Sequence, residues 1–383
     1  MSSAHSVRLA LLGFGTVGRS FLRLALAQRE RFRDDFGIDL SISVVASRGG
    51  AKKREAWVPE SIPFTDDLEA AAVSPDVDLV VELIGGEEPA RSLLSRAIAA
   101  GKSVVTANKL LLARHGSALA VAAREKGVGL GIEAAVAGGI PILRAVRESF
   151  ASDRIVAVAG ILNGTCNFIL TEMEKAGRAY ADVLAEAQRL GFAEADPGSD
   201  VEGNDAAYKL ALLARMAFGQ DVPVDAIHRE GITRLLPCDF VYAEELSRTP
   251  RQIARAAVLP SGNLALSVRT HLVSKESLLS KITGPYNAVQ VSLERGGDFV
   301  FSGRGAGGDP TATAVLADVV DLARSGPKPL VPPLGYSAFA PLREAGPAEF
   351  VAPFYVRFVV RDRPGILAEI ARAFADEAIN VDA

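Results

Sequence analysis

Three features of this 383-residue chain predict an α/β fold, with a doubly wound parallel sheet, an α+β domain after it and a short third segment. Apolar runs of strand length alternate with helical stretches over residues 1–134. Strands and helices then fall into separate blocks, and a proline-rich stretch precedes one last strand and helix signal. Residues 7–12 are nearly all apolar, as in a strand buried on both faces, and after a glycine turn residues 16–28 take helical spacing. Apolar runs at 41–46, 79–84, 103–106 and 129–133 read as further strands, with helices at 89–100 and 110–126 between them. Such strands pair parallel, because each intervening helix carries the chain back across the sheet.

From residue 135 the pattern is a strand at 154–161, helices at 167–176, 180–190 and 201–218, and strands at 264–272, 287–293 and 299–302. This predicts a mixed α+β domain over 135–304. A glycine cluster leads into a helix at 311–324, expected to pack back on the first domain, so that residues 305–340 complete it. Residues 327–333 are proline-rich and mark a linker. The segment 350–383 offers a strand at 354–360 and a helix ending at 375, too little to bury a core alone.

Composition narrows the function. Hydrophobic residues make up 49% and charged residues 23% of the chain, enough polymer for two or three cores. The formal net charge is -4 with Lys and Arg scattered, which argues against a nucleic-acid partner. Cys166 and Cys238 have no His or Cys at zinc spacing and are too few for a disulfide framework, as in a reducing compartment. No run reaches the roughly 18 apolar residues that span a bilayer, and the N-terminus lacks the pattern of a signal peptide. A cytoplasmic protein without a membrane partner is expected.

The string GFGTVG, residues Gly13, Phe14, Gly15, Thr16, Val17 and Gly18, closes the first strand and opens the first helix. Gly13 permits the tight turn, Gly15 lets the backbone approach a pyrophosphate, and Gly18 allows helix and sheet to pack closely. In that context the string predicts a Rossmann-type dinucleotide site. Where an NAD-selective site places an acid, the second strand ends in Ala46, Ser47 and Arg48, with Lys52, Lys53 and Arg54 beyond. Arg48 can hold a 2′-phosphate, making NADP(H) the preferred cofactor and NAD(H) the alternative; a solvated basic loop is the other reading.

A second glycine cluster, Gly303, Gly305, Gly307 and Gly308, again precedes a helix and suits close approach of backbone to ligand. Asp205 and Lys209 stand four apart and share a helix face. Taken alone they are an exposed ion pair more often than a working one. Glu194, Asp196, Asp200 and Glu202 crowd just before them, which suits binding an ammonium group, or a solvated helix start.

Taken together these strings resemble the homoserine dehydrogenase family over nearly the whole chain. The matching pieces are GFGTVG, Thr106-Ala107-Asn108-Lys109, EAAVAGGIPI from Glu133, GILNGTCNFIL from Gly160, GFAEADP through DAAYKL, and GRGAGGDPTATAVLAD from Gly303. The resemblance implies NAD(P)H-dependent interconversion of aspartate 4-semialdehyde and homoserine, in threonine, methionine and isoleucine biosynthesis. Lys209 would be the acid/base residue, supported by Asp205, with Lys109 at the junction of cofactor and substrate sites. Glu194 and Asp200 would bind the substrate, with Gly164 and Thr165 on that side of the cleft, and Thr106 and Gly305 would join the cofactor site. The family also implies a monovalent cation, Na+ or K+, held mainly by main-chain carbonyls, with Glu133, Val136, Gly138 and Ile140 as its ligands. It implies a homodimer through the second domain.

Two departures stand out. Residues 361–375 resemble the opening of an ACT domain, a small ligand-sensing module, yet only about half of its usual ~70 residues are present. Cys166 stands where many relatives have Thr and reads as a small buried substituent, since no His accompanies it. The alternatives are a non-catalytic amino-acid-binding protein on the same fold and a dehydrogenase of another amino-acid semialdehyde.

Overall fold

The first sheet in the computed structural model, which describes residues 4–324 and 339–381, runs β3-β2-β1-β4-β5-β6 with every pairing parallel. Its strands are β1 His5–Leu12, β2 Ile38–Ala46, β3 Phe64–Thr65, β4 Leu79–Glu82, β5 Ser103–Thr106 and β6 Leu130–Gly131. Strand order reverses between β1 and β4, so the crevice at their carboxyl ends is the place where such sheets take ligands. One face of the sheet is covered by the helix Thr16–Ala27 and the helix Gly308–Arg324, which share a core containing Leu9, Phe21, Leu22, Val81, Val315 and Val319. The expected return of the late helix to the first sheet is therefore present. The other face buries the helices Ala90–Ala99 and Lys109–Lys126.

The second sheet is mixed, in the order β13-β12-β7-β10-β11-β9. Here β7 is Ile155–Ile161, β9 His228–Arg229, β10 Arg248–Val258, β11 Leu264–Ser274, β12 Tyr286–Leu293 and β13 Gly297–Arg304. The short strands β8 Gln220–Asp221 and β14 Ala340–Pro341 form a separate parallel pair. The helix Gly164–Ala176 contacts this sheet at β10 and β12, and the helix Asn204–Phe218 contacts it at β7 and β10. Arg215 of the second of these helices is 4% exposed and donates to the carbonyls of Leu112 and Ala113 at 3.1 and 2.8 Å. That clamp fixes the helix beginning at Lys109 against the helix carrying Asp205 and Lys209.

Four expectations are corrected. The stretch 201–218 is two helices, Gly198–Val201 and Asn204–Phe218, because Gly203 adopts a left-handed φ of 84° between them. The strand expected at 129–133 shrinks to Leu130–Gly131, and Glu133 begins a 3-10 turn. The strand β10, Arg248–Val258, lies where no element was expected. Finally, residues 354–360 carry no assigned strand among the described residues, since extended pairing needs a neighbouring edge.

The chain divides into two units, Met1–Phe350 and Val351–Ala383. The second holds the helix Ile366–Asp376, with Phe374 packed edge-on to Phe358 at 6.0 Å. The expected linker at 327–333 lies outside the described residues. No helix among the described residues is long and apolar enough to cross a membrane.

Candidate active site

Gly13 closes β1 with a φ of 105°, and a Cβ there would lie 2.5 Å from the main-chain oxygen of Leu83, just after β4. Only glycine allows the two strand ends to come so close at the reversal of strand order. The helix that follows starts with no side-chain cap and no acid in its first turn. Gly15 and Thr16 are exposed, and a Cβ on Gly15 would meet nothing within 4 Å. Unsatisfied N–H groups thus face an open cradle, which fits a pyrophosphate. Gly18 is buried and Val17 half-buried, while Phe14 turns away from the cradle to pack against Phe64 at 5.2 Å and Trp57 at 6.3 Å.

Arg48 is exposed directly after β2, and Lys52 and Lys53 are exposed beyond it. Arg54 is not part of that basic edge. Its guanidinium donates to the carbonyls of Pro59 and Ile62 and lies over the Phe64 ring at 4.7 Å, so it holds the loop. Thr106 ends β5 fully buried, its hydroxyl donating to Glu82 at 2.6 Å and accepting from the Asn108 N–H at 3.0 Å. Any contact from Thr106 to a cofactor is thereby left to its main chain. Glu82, missed in the sequence, also accepts from the N–H groups of Ile84 and Gly85 at 2.6 and 3.1 Å, fixing the loop against which Gly13 rests.

Across the cleft, Lys209 and Asp205 are 8% and 7% exposed, so the reading of them as a solvated pair is wrong. Lys209 Nζ donates to Asp205 Oδ2 at 2.7 Å and to the Leu162 carbonyl at 2.7 Å. An ammonium has three N–H bonds, so one remains to be directed elsewhere. Lys109 Nζ meets the other Asp205 oxygen at 3.1 Å, with its side chain 40% exposed. Burial alone would raise the Asp205 pKa, but the two lysines outweigh it and hold the carboxyl well below the usual carboxylate range. The charge of Asp205 raises the Lys109 pKa against the opposing effect of burial, with Asp200 and Glu194 adding to the pull.

Asn163 ties the acids together. Its amide donates to Asp200 at 2.7 Å and to Asp205 at 3.0 Å, and its oxygen caps the following helix by accepting from Cys166 N at 2.8 Å. Burial raises the pKa of Asp200, the Asn163 hydrogen bond working against it. Gly164 and Thr165 are half-buried at the start of that helix, and Thr165 donates to the Phe192 carbonyl at 2.7 Å. Cys166 is fully buried, with its thiol on the Asp200 carbonyl and its pKa driven well up by burial, which suits a packing residue. Glu194 is exposed but close enough to act on Lys109. Asp196 is exposed and instead accepts from Gly198 N, and Glu202 is exposed; neither joins the group.

Between the two halves, residues 133–140 make a buried loop with consecutive left-handed residues, Ala137 at φ 54° and Gly138 at φ 58°. The Glu133 carboxylate accepts from the N–H groups of Leu143 and Arg144, both at 2.9 Å, and so serves the fold. The Ile140 carbonyl accepts from Ile142 N at 2.8 Å, whereas among the described residues no donor is recorded on those of Val136 and Gly138. No group of three His, Cys, Asp or Glu side chains among the described residues could hold a metal ion, so a cation here would rest on main-chain oxygens. Gly305 lies against this loop; a Cβ on Gly138 would sit 2.4 Å from the Gly305 carbonyl. At the opposite, amino end of the sheet, a cleft of about 410 Å³ is lined by His5, Asp78, Lys102 and Ser103. Lys102 there is spent on the Val77 carbonyl, and no reacting groups converge.

A homoserine dehydrogenase model matches residues 141–320, and the homoserine dehydrogenase NAD-binding domain matches residues 13–133. The homoserine dehydrogenase of Pseudomonas aeruginosa is 40% identical over 98% of this chain and 87% of its own length. That of Corynebacterium glutamicum is 43% identical over 98% of this chain and 85% of its own. This chain belongs to the homoserine dehydrogenase family. The crystal structure of homoserine dehydrogenase from Thiobacillus denitrificans matches with a TM-score of 0.88 at 41% identity, over 99% of this chain and 88% of that one. A hyperthermophilic archaeal homoserine dehydrogenase solved in complex with NADPH matches with a TM-score of 0.72 at 25% identity, over 84% of this chain and 99% of that one. As a member of the homoserine dehydrogenase family the chain is an NAD(P)-dependent oxidoreductase acting on a CH–OH group. An ACT-domain model matches residues 354–383, in agreement with the resemblance read at 361–375. None of these findings supports the non-catalytic binding protein or a different semialdehyde dehydrogenase.

Proposed function

We propose that this chain interconverts L-aspartate 4-semialdehyde and L-homoserine with Lys209 as proton donor and acceptor, serving threonine, methionine and isoleucine synthesis in the cytoplasm. The observation that carries the reading is a buried ammonium with two of its three N–H bonds fixed, joined through Asp205 to Lys109 at the start of the helix that follows β5. When bound, the nicotinamide supplies or takes the hydride. As negative charge grows on the aldehyde oxygen, the remaining N–H of Lys209 stabilises it and delivers the proton; in reverse the neutral amine removes the hydroxyl proton. Asp205 keeps the ammonium oriented in either direction. Lys109 suits the substrate carboxylate and Glu194 with Asp200 its ammonium, since these charges complement an amino acid.

The first domain, residues 1–134 completed by 305–340, would hold NADP(H) in preference to NAD(H), with pyrophosphate on the N–H groups of residues 15–18. The open cradle at Gly15 and the exposed Arg48 after β2 favour this. Gly305 and the main chain at Thr106 and Lys109 would border the nicotinamide. The carbonyls of Val136 and Gly138, with that of Ile140 sharing its second lone pair, offer oxygen donors of the kind Na+ or K+ takes. The domain 135–304 would also carry a homodimer interface. Val158, Val289 and Val291 are fully buried on one side of the second sheet; on the other side Ile161, Ile253 and Ala288 are buried but Ala159, Gln290, Ser292 and His271 are half-buried, and this open part of the face is where a second copy would pack.

The test is to follow nicotinamide absorbance with NADPH and aspartate 4-semialdehyde, for the parent and for Lys209→Ala. The variant should lose about 10²–10⁴-fold in kcat while binding NADPH nearly as before. Equal loss in both quantities contradicts the assignment. Light scattering of the purified chain checks the dimer.

A further inference from the structure

The Leu162 carbonyl is shared. It accepts from Lys209 Nζ at 2.7 Å and from Asn287 Nδ2 at 3.0 Å, which uses both of its lone pairs. Asn287 is 2% exposed and stands on β12 opposite Gly303 of β13, at the root of the second glycine cluster. Its amide lies directly over Gly305: a Cβ there would be 2.1 Å from both Asn287 Cγ and Nδ2. On its other side Gly305 presses against Gly138, and Gly139 N donates to the Arg304 carbonyl at 3.4 Å. A single neutral side chain therefore spans the distance from the loop 303–308 to the oxygen that holds the Lys209 ammonium.

We propose that Asn287 is a positioning residue, which couples the placement of the 303–308 loop to the aim of the free N–H of Lys209 through the Leu162 carbonyl. The proposal rests on the reading of Lys209 as proton donor and of that loop as part of the cofactor cradle. Two fixed hydrogen bonds set where the third N–H of an ammonium points. One of those two runs to an oxygen whose own second partner is Asn287. A shift of the loop displaces the amide lying on Gly305, and the carbonyl and ammonium follow. Misplacing a reacting group by about 1 Å can cost on the order of 10²-fold in rate. Gly305 is glycine, on this view, because any Cβ would push the amide off the carbonyl.

The experiment compares Asn287→Ala, Gly305→Ala and the double variant, measuring kcat, both KM values and the isotope effect with cofactor deuterated at the transferred position. Asn287→Ala should lower kcat about 10- to 100-fold, leave both KM values within about threefold, and raise the isotope effect on kcat as chemistry becomes limiting. Gly305→Ala should lower kcat similarly, and the double variant should be no slower than Asn287→Ala, because the alanine makes room for the new methyl. A merely structural role would reduce the active fraction without touching the isotope effect, and that result overturns the proposal. So do unchanged kcat in Asn287→Ala and additive losses in the double variant. Should Asn287→Ala fail to fold, Asn287→Leu, which keeps the volume and removes the donor, is read by kcat and the isotope effect with the same expected loss and the same overturning results. Lys209→Ala run alongside separates the two ideas: an active Lys209→Ala removes the underlying reading, whereas an inactive one with a normal Asn287→Ala removes only this inference.

Discussion

Replacing Asp205 by Asn removes one charge and almost no volume, and it tests the centre of the site. The carboxylate is 7% exposed and takes Lys209 at 2.7 Å, Lys109 at 3.1 Å and the Asn163 amide at 3.0 Å. At an effective dielectric of about 20 the two ion contacts are each worth about 5–6 kcal/mol before the cost of desolvation. What is lost when one partner of a buried pair disappears is about 3–5 kcal/mol, and the low end applies because Lys109 is 40% exposed and partly screened by water. Asn also brings an N–H₂ group into a ring of donors, so at least one of the three partners faces a donor instead of an acceptor. Urea unfolding should therefore report a loss of about 3 kcal/mol at neutral pH. Because the folded Asp205 pKa is depressed, its contribution is fully present above the ordinary carboxylate pKa of about 4 and fades only as pH falls below it. Parent and variant should thus differ at pH 7 and converge in strong acid. In the hydride-transfer assay kcat should fall about 10²-fold or more, with little change in KM for the cofactor, whose cradle lies across the cleft. A kcat within threefold of the parent refutes the role given to Asp205.

Three further outcomes are expected. Arg48→Ala should weaken NADPH at least tenfold and leave NADH nearly unchanged, because only NADPH carries the 2′-phosphate; equal effects in cofactor titrations return Arg48 to solvent. Gly15→Ala should fold with stability within about 1 kcal/mol of the parent, since its φ of -84° suits alanine and the Cβ meets no protein atom, while KM for the cofactor rises at least tenfold as the methyl enters the cradle. A thermal melt paired with a cofactor titration checks both halves. His271 lies on the half-buried face of β11, its pKa pushed down to about 4 by burial and then by Arg269 and Arg255. Its folded pKa lies below the unfolded value of about 6.5, so its contribution is present above that value and lost as pH falls towards 4. His271→Gln should flatten stability across that window, and a parallel slope in both proteins counts against it.

The parallel sheet was legible because its signal is physical and local: strands buried on both faces need apolar centres, as Leu9 to Leu12 of β1, Leu79 to Val81 of β4 and Val104 with Val105 of β5 provide. The central strand of the second sheet carried no such signal. Arg248–Val258 reads RTPRQIARAAV, whose Ala, Arg and Gln favour helix and whose Pro250 argues against a strand interior. What decides the matter is tertiary. Pairing with β11 along its length and with β7 outweighs propensity, and Arg251, 1% exposed, is accommodated by Glu174, Thr249 and nearby carbonyls. The break at Gly203 was missed for the opposite reason. Acids and glycines at 198–205 suit a helix start, and periodicity alone does not say whether one start or two are present.

At the site, the residues singled out from sequence were those whose charge and spacing carry meaning, and those missed, Glu82, Asn163 and Asn287, are buried side chains that hold loops or charged groups in place. Asn163 could have been found, since Asn three residues before Cys166 in ILNGTCNF is an N-cap signal. The Leu162 carbonyl could not, because a main-chain oxygen has no residue-type signature, and Asn287 acquires its meaning only from that oxygen. The same distinction separates the two lysines, which composition makes equivalent. Lys209 is buried and has two acceptors fixed at 2.7 Å, so it can present one N–H in one direction, as proton transfer to a single oxygen requires. Lys109 is 40% exposed with one recorded acceptor, Asp205, and keeps the freedom to swing towards a carboxylate entering from solvent. Exchanging their roles would place the more exposed ammonium where a fixed direction is needed, so burial and bond count, not charge, are what favour Lys209 over Lys109 for the proposed proton transfer.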